Sequence, residues 1–123
     1  MAFGAEVSEA GGVRFQLWAP AARRVEVLLE AEGSAFSMAA AEGGSALSMA
    51  AAGDGWHRLV TDRARAGMRY RYRIDGAAVV PDPASRFQPD DVHGPSEIVD
   101  PGAFAWEDAG WRGRPWEEMV FYE

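Results

Sequence analysis

Met68-Arg-Tyr-Arg-Tyr-Arg-Ile-Asp-Gly76 is the stretch that decides the fold. Its side chains alternate with the period of two that a β-strand imposes, sending Tyr70, Tyr72 and Ile74 toward a core and Arg69, Arg71 and Arg73 to the opposite face. The chain carries 19 acidic groups, so the arginine row reads as a solvated face paired with carboxylates; three arginines in line could otherwise hold an anion. Asp75-Gly76 signals a type I′ hairpin, which returns residues 77 to 80 as a short partner strand.

The same period recurs upstream. Val13, Phe15 and Leu17 face one way and Arg14, Gln16 and Trp18 the other, until Ala19-Pro20 ends the strand, because proline cannot donate to a ladder. Val25, Val27 and Leu29 alternate with Glu26, Leu28 and Glu30 in a second strand. If the two strands are neighbours, Arg14 meets Glu26 or Glu30 on the wet face, for a few tenths of a kcal/mol at most. Gly53-Asp54-Gly55 is a strong turn. After it, residues 56 to 61 form a strand with Trp56, Arg58 and Val60 on one face and His57 and Leu59 on the other. A lone histidine in such a strand reads as a surface residue rather than a catalyst.

Between these strands the segment Ser34-Ala-Phe-Ser-Met-Ala-Ala-Ala41 recurs as Ser45-Ala-Leu-Ser-Met-Ala-Ala-Ala52. Two near-identical segments compete for one place in the fold. Either one copy pairs while the other loops out, or the two form a hairpin about Glu42-Gly43-Gly44; the alanines also permit a helix from Ser34.

Composition narrows the chemistry. The chain of 123 residues suits one domain with a single core. It contains no cysteine, lysine or asparagine, which removes disulfides, thiolate metal sites, Schiff-base lysine chemistry and N-glycosylation. A net charge of −7 offers no footprint for nucleic acid. No apolar run approaches the roughly 18 residues of a membrane span. With no secretory signal pattern recognised, the expectation is a cytoplasmic, soluble domain without cofactor.

Residues 80 to 96, Val-Pro-Asp-Pro-Ala-Ser-Arg-Phe-Gln-Pro-Asp-Asp-Val-His-Gly-Pro-Ser, hold four of the seven prolines. Proline fixes φ and removes backbone donors, so an ordered, extended surface segment without a regular ladder is expected. Arg86 offers a bidentate fork, and Gln88 and His93 offer hydrogen bonds, either to another domain or back onto the segment's own sheet. Asp90, Asp91 and His93 have the composition of a small metal cluster, but capping and interdomain hydrogen bonding account for them, and no metal site is assigned. Adjacent carboxylates such as Asp90-Asp91 and Glu117-Glu118 point to opposite sides if the backbone is extended and cannot converge on one bond as an acid/base pair. A last short strand is expected from Glu97 to Asp100. Beyond it Trp106, Trp111 and Trp116 follow at intervals of five on irregular backbone, placed to stack on sugars or to pack against another domain.

Phe3-Gly-Ala5, Val13-Arg-Phe-Gln-Leu-Trp-Ala-Pro20, Tyr70-Arg-Tyr-Arg-Ile-Asp-Gly76, the proline-rich segment and Trp111-Arg-Gly-Arg-Pro-Trp-Glu-Glu118 together resemble the N-terminal part of malto-oligosyltrehalose trehalohydrolases of the α-amylase superfamily. The resemblance covers all but the repeat and is most specific over residues 81 to 96. It implies an all-β, immunoglobulin-like early-set β-sandwich over residues 1 to 100 with an irregular Pro/Trp-rich tail. Residues 101 to 123 would be a linker and the truncated start of a catalytic (β/α)8 barrel, the partner in cis. The parent reaction would be hydrolysis of the α-1,4 bond that releases trehalose from maltooligosyl trehalose, by a carboxylate pair lying in the barrel.

On that resemblance this chain is a non-catalytic accessory domain that braces the barrel. Arg86, Gln88, His93, Trp111 and Trp116 are its interdomain or substrate-groove residues. The other function is an autonomous α-glucan (glycogen or starch) binding module. Related early-set domains stack glucan on tryptophans after the second strand and after the Asp-Gly hairpin, where this chain has no Phe-Asn-x-Trp motif and carries Val79-Val80. Trp18 and Trp56 would replace those platforms only if they lie exposed side by side, offering contact to an α-glucan or to maltooligosyl trehalose.

Overall fold

The computed structural model describes residues 3–8, 11–30 and 45–122. Among the described residues nine strands form two antiparallel sheets: β1 (Gly4–Val7), β2 (Val13–Trp18), β3 (Val25–Leu29), β4 (Ser45–Ser48), β5 (Ala50–Ala51), β6 (Trp56–Thr61), β7 (Arg69–Ile74), β8 (Ala78–Val80) and β9 (Ser96–Glu97). One sheet has the order β1-β2-β6-β5; the other has the order β4-β3-β7-β8, with β9 beside β8 on the free side of β7. No helix among the described residues is long and apolar enough to cross a membrane.

Side-chain alternation determines what lies between the sheets. Val13, Phe15 and Leu17 of β2 meet Val25, Val27 and Leu29 of β3 and Tyr70 and Tyr72 of β7, all buried. Phe15 and Tyr70 pack edge-on at 5.0 Å between centroids, and Tyr70 and Tyr72 at 5.8 Å, the geometry that aromatic quadrupoles favour. The Asp75-Gly76 turn has φ values of 50° and 75°, as a type I′ hairpin requires. Asp75 also ties the turn to the entry of β3, accepting the backbone N–H groups of Arg23 and Arg24 at 2.9 Å each.

The second repeat copy is the one seen as strand. Its Ser45–Ser48 pairs with β3, and Ala50–Ala51 pairs with β6 in the opposite sheet. Met49, buried between them and donating its N–H to Val25 O at 2.9 Å, marks the crossing. The first copy lies outside the described residues, so a hairpin or loop-out arrangement falls there too. A single helix through both copies is overturned by the strand conformation of Ser45–Ser48.

Three expectations need correction. β2 and β3 lie in different sheets, so Arg14 pairs with Glu6 on neighbouring β1 and not with Glu26 or Glu30. Glu26 is buried instead of wet: β3 is covered on both sides by β4 and β7, and the guanidiniums of Arg73 (2.8 Å) and Arg24 (2.6 Å) close over its carboxylate. The Arg73 hydrogen bond holds the Glu26 pKa below the ordinary carboxylate value despite the burial, with the Arg24 charge adding to it. His57 lies on the inner face and is buried, where the sequence suggested a surface residue.

Candidate functional site

Asp82 organises the proline-rich segment. Pro81 and Pro83 flank it and deny the backbone a ladder, so the carboxylate supplies the anchorage. One oxygen accepts the Tyr70 hydroxyl at 2.7 Å and the Tyr72 hydroxyl at 3.2 Å; the other accepts the N–H of Ala84 at 2.7 Å. The Asp82 N–H donates to the buried Ser96 hydroxyl at 3.1 Å. Burial, and then the neighbouring Asp82 charge, push both tyrosine pKa values well above the usual phenol range, so both hydroxyls stay protonated donors.

The segment then folds back over β1. A Cβ on Gly4 would lie 2.9 Å from Ala84 O and 3.5 Å from Arg86 Nη1, so only glycine lets the loop close here. Arg86 donates to the carbonyl of Ala5. Gln88 Nε2 donates to Val92 O at 2.9 Å and to Gly94 O at 3.4 Å. Arg86 therefore ties the loop to β1, and Gln88 ties the loop to itself. Asp91 accepts the N–H groups of His93 (2.6 Å) and Gly94 (3.1 Å), and Asp90 accepts Arg69 at 3.0 Å. No group of three metal-ligating side chains exists among the described residues. Among the side chains the segment leaves exposed are Phe87, Val92 and His93.

The arginine row on β7 is paired with acids. Arg73 meets Glu26, Arg69 meets Asp90 and Glu97, and Arg71 lies 4.0 Å from Glu30. Burial pushes the Glu30 pKa up, opposed by the charges of Arg71 and Arg69.

Trp18 and Trp56 are directly opposed partners of β2 and β6, so they share the outer face of the first sheet. Trp18 is 58% exposed and Trp56 half-buried. The Phe3 ring sits 5.2 Å from Trp56.

The tail from Pro101 to Tyr122 contributes nothing to the core. Every residue in it is exposed, including Phe104, Trp106, Trp111, Trp116, Phe121 and Tyr122. Its contacts are local: Phe104 on Trp106 at 4.9 Å, Trp116 on Phe121 at 5.5 Å, and the Arg114 guanidinium 5.8 Å from the Trp111 centroid.

A two-sheet sandwich entered through a strand-Trp-Ala-Pro sequence and closed by an Asp-Gly hairpin agrees with a family match over residues 2–101, to carbohydrate-binding module 48, the isoamylase N-terminal domain. The chain belongs to that family. Carbohydrate-binding module 48 is an immunoglobulin-like early-set domain, non-catalytic, found at the front of glycoside hydrolases. The malto-oligosyltrehalose trehalohydrolase of Rhizobium sp. M-11 is 39% identical over 114 residues, covering 92% of this chain and 18% of the relative. That of Saccharolobus solfataricus is 37% identical over 123 residues, covering 100% of the chain and 19% of the relative. A crystal structure from Salmonella typhimurium assigned to the alpha amylases superposes with a TM-score of 0.80 at 39% identity, over 97% of this chain and 18% of that one. The chain thus spans less than a fifth of the length of these proteins, and the matched part of this module 48 domain holds the proline-rich segment but ends at Pro101, as the exposed tail begins.

Asp82 escaped the sequence reading, which singled out Arg86, Gln88 and His93 around it. The available signal was the pair of core-facing tyrosines, whose hydroxyls need a buried acceptor.

Proposed function

We propose that this chain is the accessory domain of a trehalose-forming α-glucan hydrolase, packing against the catalytic domain and bracing one wall of its substrate groove. The parent reaction would be hydrolysis of the α-1,4 bond that releases trehalose from maltooligosyl trehalose. One observation carries the reading: a sandwich with its own buried core is followed by 22 residues, 101 to 122, that are exposed throughout and rich in tryptophan. Isolated exposed apolar residues are ordinary, but a run of this density marks a surface that another body covers. The trehalohydrolase names of the relatives support reading that body as a catalytic domain of that kind.

Within the proposed interface Trp111 and Trp116 are the anchors, since exposed tryptophans dominate interface energies. Phe87, Val92 and His93 form the second contact, on a loop that Asp82, Arg86 and Gln88 hold rigid from below. Arg86 and Gln88 thus act as positioning residues.

A chimera tests this. Residues 1 to 122 replace the matched N-terminal part of the Rhizobium enzyme, and trehalose release from maltooligosyl trehalose is followed. The expected result is retained activity that falls when Trp111 and Trp116 are both changed to alanine. Activity indifferent to those changes, in a chimera that folds, would overturn the proposal.

A further inference from the structure

The serine- and alanine-rich repeat is a motif that the accessory role leaves unused. Its second copy fills a defined place in the sandwich. Ser45–Ser48 pairs with β3 from Glu26 to Leu29, and Ala50–Ala51 pairs with Arg58 and His57 of β6. Leu47 packs against the core, Met49 is buried in it, and the Ser45 hydroxyl accepts a hydrogen bond from Arg63 Nη2 at 2.7 Å.

The sequence contains a second candidate for that place. Residues 34 to 40 repeat residues 45 to 51 at every position except Phe36, which stands for Leu47. A strand slip is ordinarily opposed because it moves apolar side chains to the wet face. A slip by the length of this repeat replaces each inward side chain by one of the same kind, with Met38 in the place of Met49.

The connections do not oppose the slip either. In the observed register 15 residues, 30 to 44, join β3 to β4, and four residues, 52 to 55, join β5 to β6. With residues 34 to 40 in the same place, four residues, 30 to 33, would follow β3, and 15 residues, 41 to 55, would lead to β6. The two lengths merely change places, so loop-closure entropy does not distinguish the registers. Local chemistry does. The observed register has the Gly53-Asp54-Gly55 turn, with φ values of 85°, 50° and 80°. Trp56 N–H closes it on Gly53 O, and Ala52 N–H donates to Trp56 O, at 2.8 Å each. The other register gives up those bonds and gains the larger apolar side chain of Phe36.

We propose that the domain exchanges between two registers, the observed one in the majority and a second in which residues 34 to 40 take the place of β4 and β5. The minor register holds about 0.1–10% of the molecules. Exchange carries the longer connection from the end of the sandwich at Glu30 to the opposite end, where the Trp18 indole N–H donates to Asp54 O at 3.1 Å. A partner that contacts either end therefore biases the register.

Met38→Asp and Met49→Asp, singly and together in the 123-residue chain, test this by urea unfolding. A buried aspartate opposes the register that buries it. Met49→Asp is expected to lower the folding equilibrium constant by about 10- to 1000-fold, the ratio of the two registers, and to leave a folded domain. In that variant the Met38 methyl resonance takes the position that Met49 has in the parent. Met38→Asp alone changes the constant by less than about twofold, yet in the Met49→Asp background it lowers it by at least about tenfold more. Deleting residues 31 to 41 leaves a connection of four residues, 30 and 42 to 44, and the observed register alone. There Met49→Asp costs at least about tenfold more than in the full chain. The proposal is overturned if Met49→Asp unfolds the full chain outright, if Met38→Asp stays silent in the Met49→Asp background, or if Met49→Asp costs the same with and without residues 31 to 41.

Discussion

Replacing Asp82 with alanine removes the acceptor on which the proline-rich segment depends. Two tyrosine hydroxyls and the Ala84 N–H lose their partner at once. A hydrogen bond to a charged group contributes about 1.5–3 kcal/mol, and each buried polar group left unsatisfied costs about 1–3 kcal/mol. Removal of the carboxylate's own desolvation returns part of this, leaving a net loss of about 3–5 kcal/mol, as for other buried charge sets broken on one side. Domains of this size have about 5–15 kcal/mol in total, and each kcal/mol moves Tm by about 4–8 °C. The expected fall in Tm is therefore about 12–40 °C. Thermal unfolding measures it, and urea unfolding followed by tryptophan fluorescence, with circular dichroism as a second probe, measures the loss of free energy. In a Tyr70→Phe/Tyr72→Phe background no hydroxyl is left to orphan, so Asp82→Ala costs at least about 1 kcal/mol less there, a coupling within the range of contacting residues. A loss under about 1 kcal/mol, or strict additivity between Asp82 and the tyrosines, would refute the reasoning.

Other perturbations are expected to act as follows. Glu26 has a pKa lowered on folding, so its stabilisation is complete above the unfolded value of about 4.5 and is lost as pH falls toward the folded value. Glu26→Gln should flatten that acid limb in urea midpoints taken from pH 3 to 5. Glu30 has a raised pKa and the opposite sign: stability falls as pH climbs from about 4.5 through the folded value, and Glu30→Gln should remove that slope. Gly55→Ala meets Pro20 at 2.6 Å, whereas Gly53→Ala meets nothing within 4 Å. Both pay for a left-handed φ, about 1–2 kcal/mol, but Gly55→Ala should lose clearly more and shift the Trp18 emission. Deleting residues 102 to 123 removes no core residue and should move the urea midpoint by less than about 0.5 kcal/mol equivalent.

Strand periodicity was legible because each apolar row serves one core. Tyr70, Tyr72, Phe15 and Val27 could be assigned inward from alternation alone, and Asp75-Gly76 specified its turn by the backbone it tolerates. Alternation says nothing about which strands are neighbours, and so Arg14 was matched to the wrong acids. Nor does it distinguish an edge strand from a central one: Glu26 looks wet in sequence, yet central β3 buries it under two arginines. The inward hydrogen bond of Arg86 depends on how the loop closes over Gly4, a contact spanning about 80 residues of sequence that local chemistry cannot encode. The exposed tail was visible as three tryptophans at a spacing that no helix or strand face accommodates.

The accessory-domain account is tested most directly by association with a catalytic domain. Sedimentation or calorimetry of the 123-residue chain with a trehalohydrolase catalytic domain freed of its own N-terminal module should show a 1:1 complex. Trp111→Ala/Trp116→Ala should weaken that complex at least tenfold. A chain that stays monomeric beside the catalytic domain at tens of micromolar, or a complex unchanged by the double substitution, would contradict it.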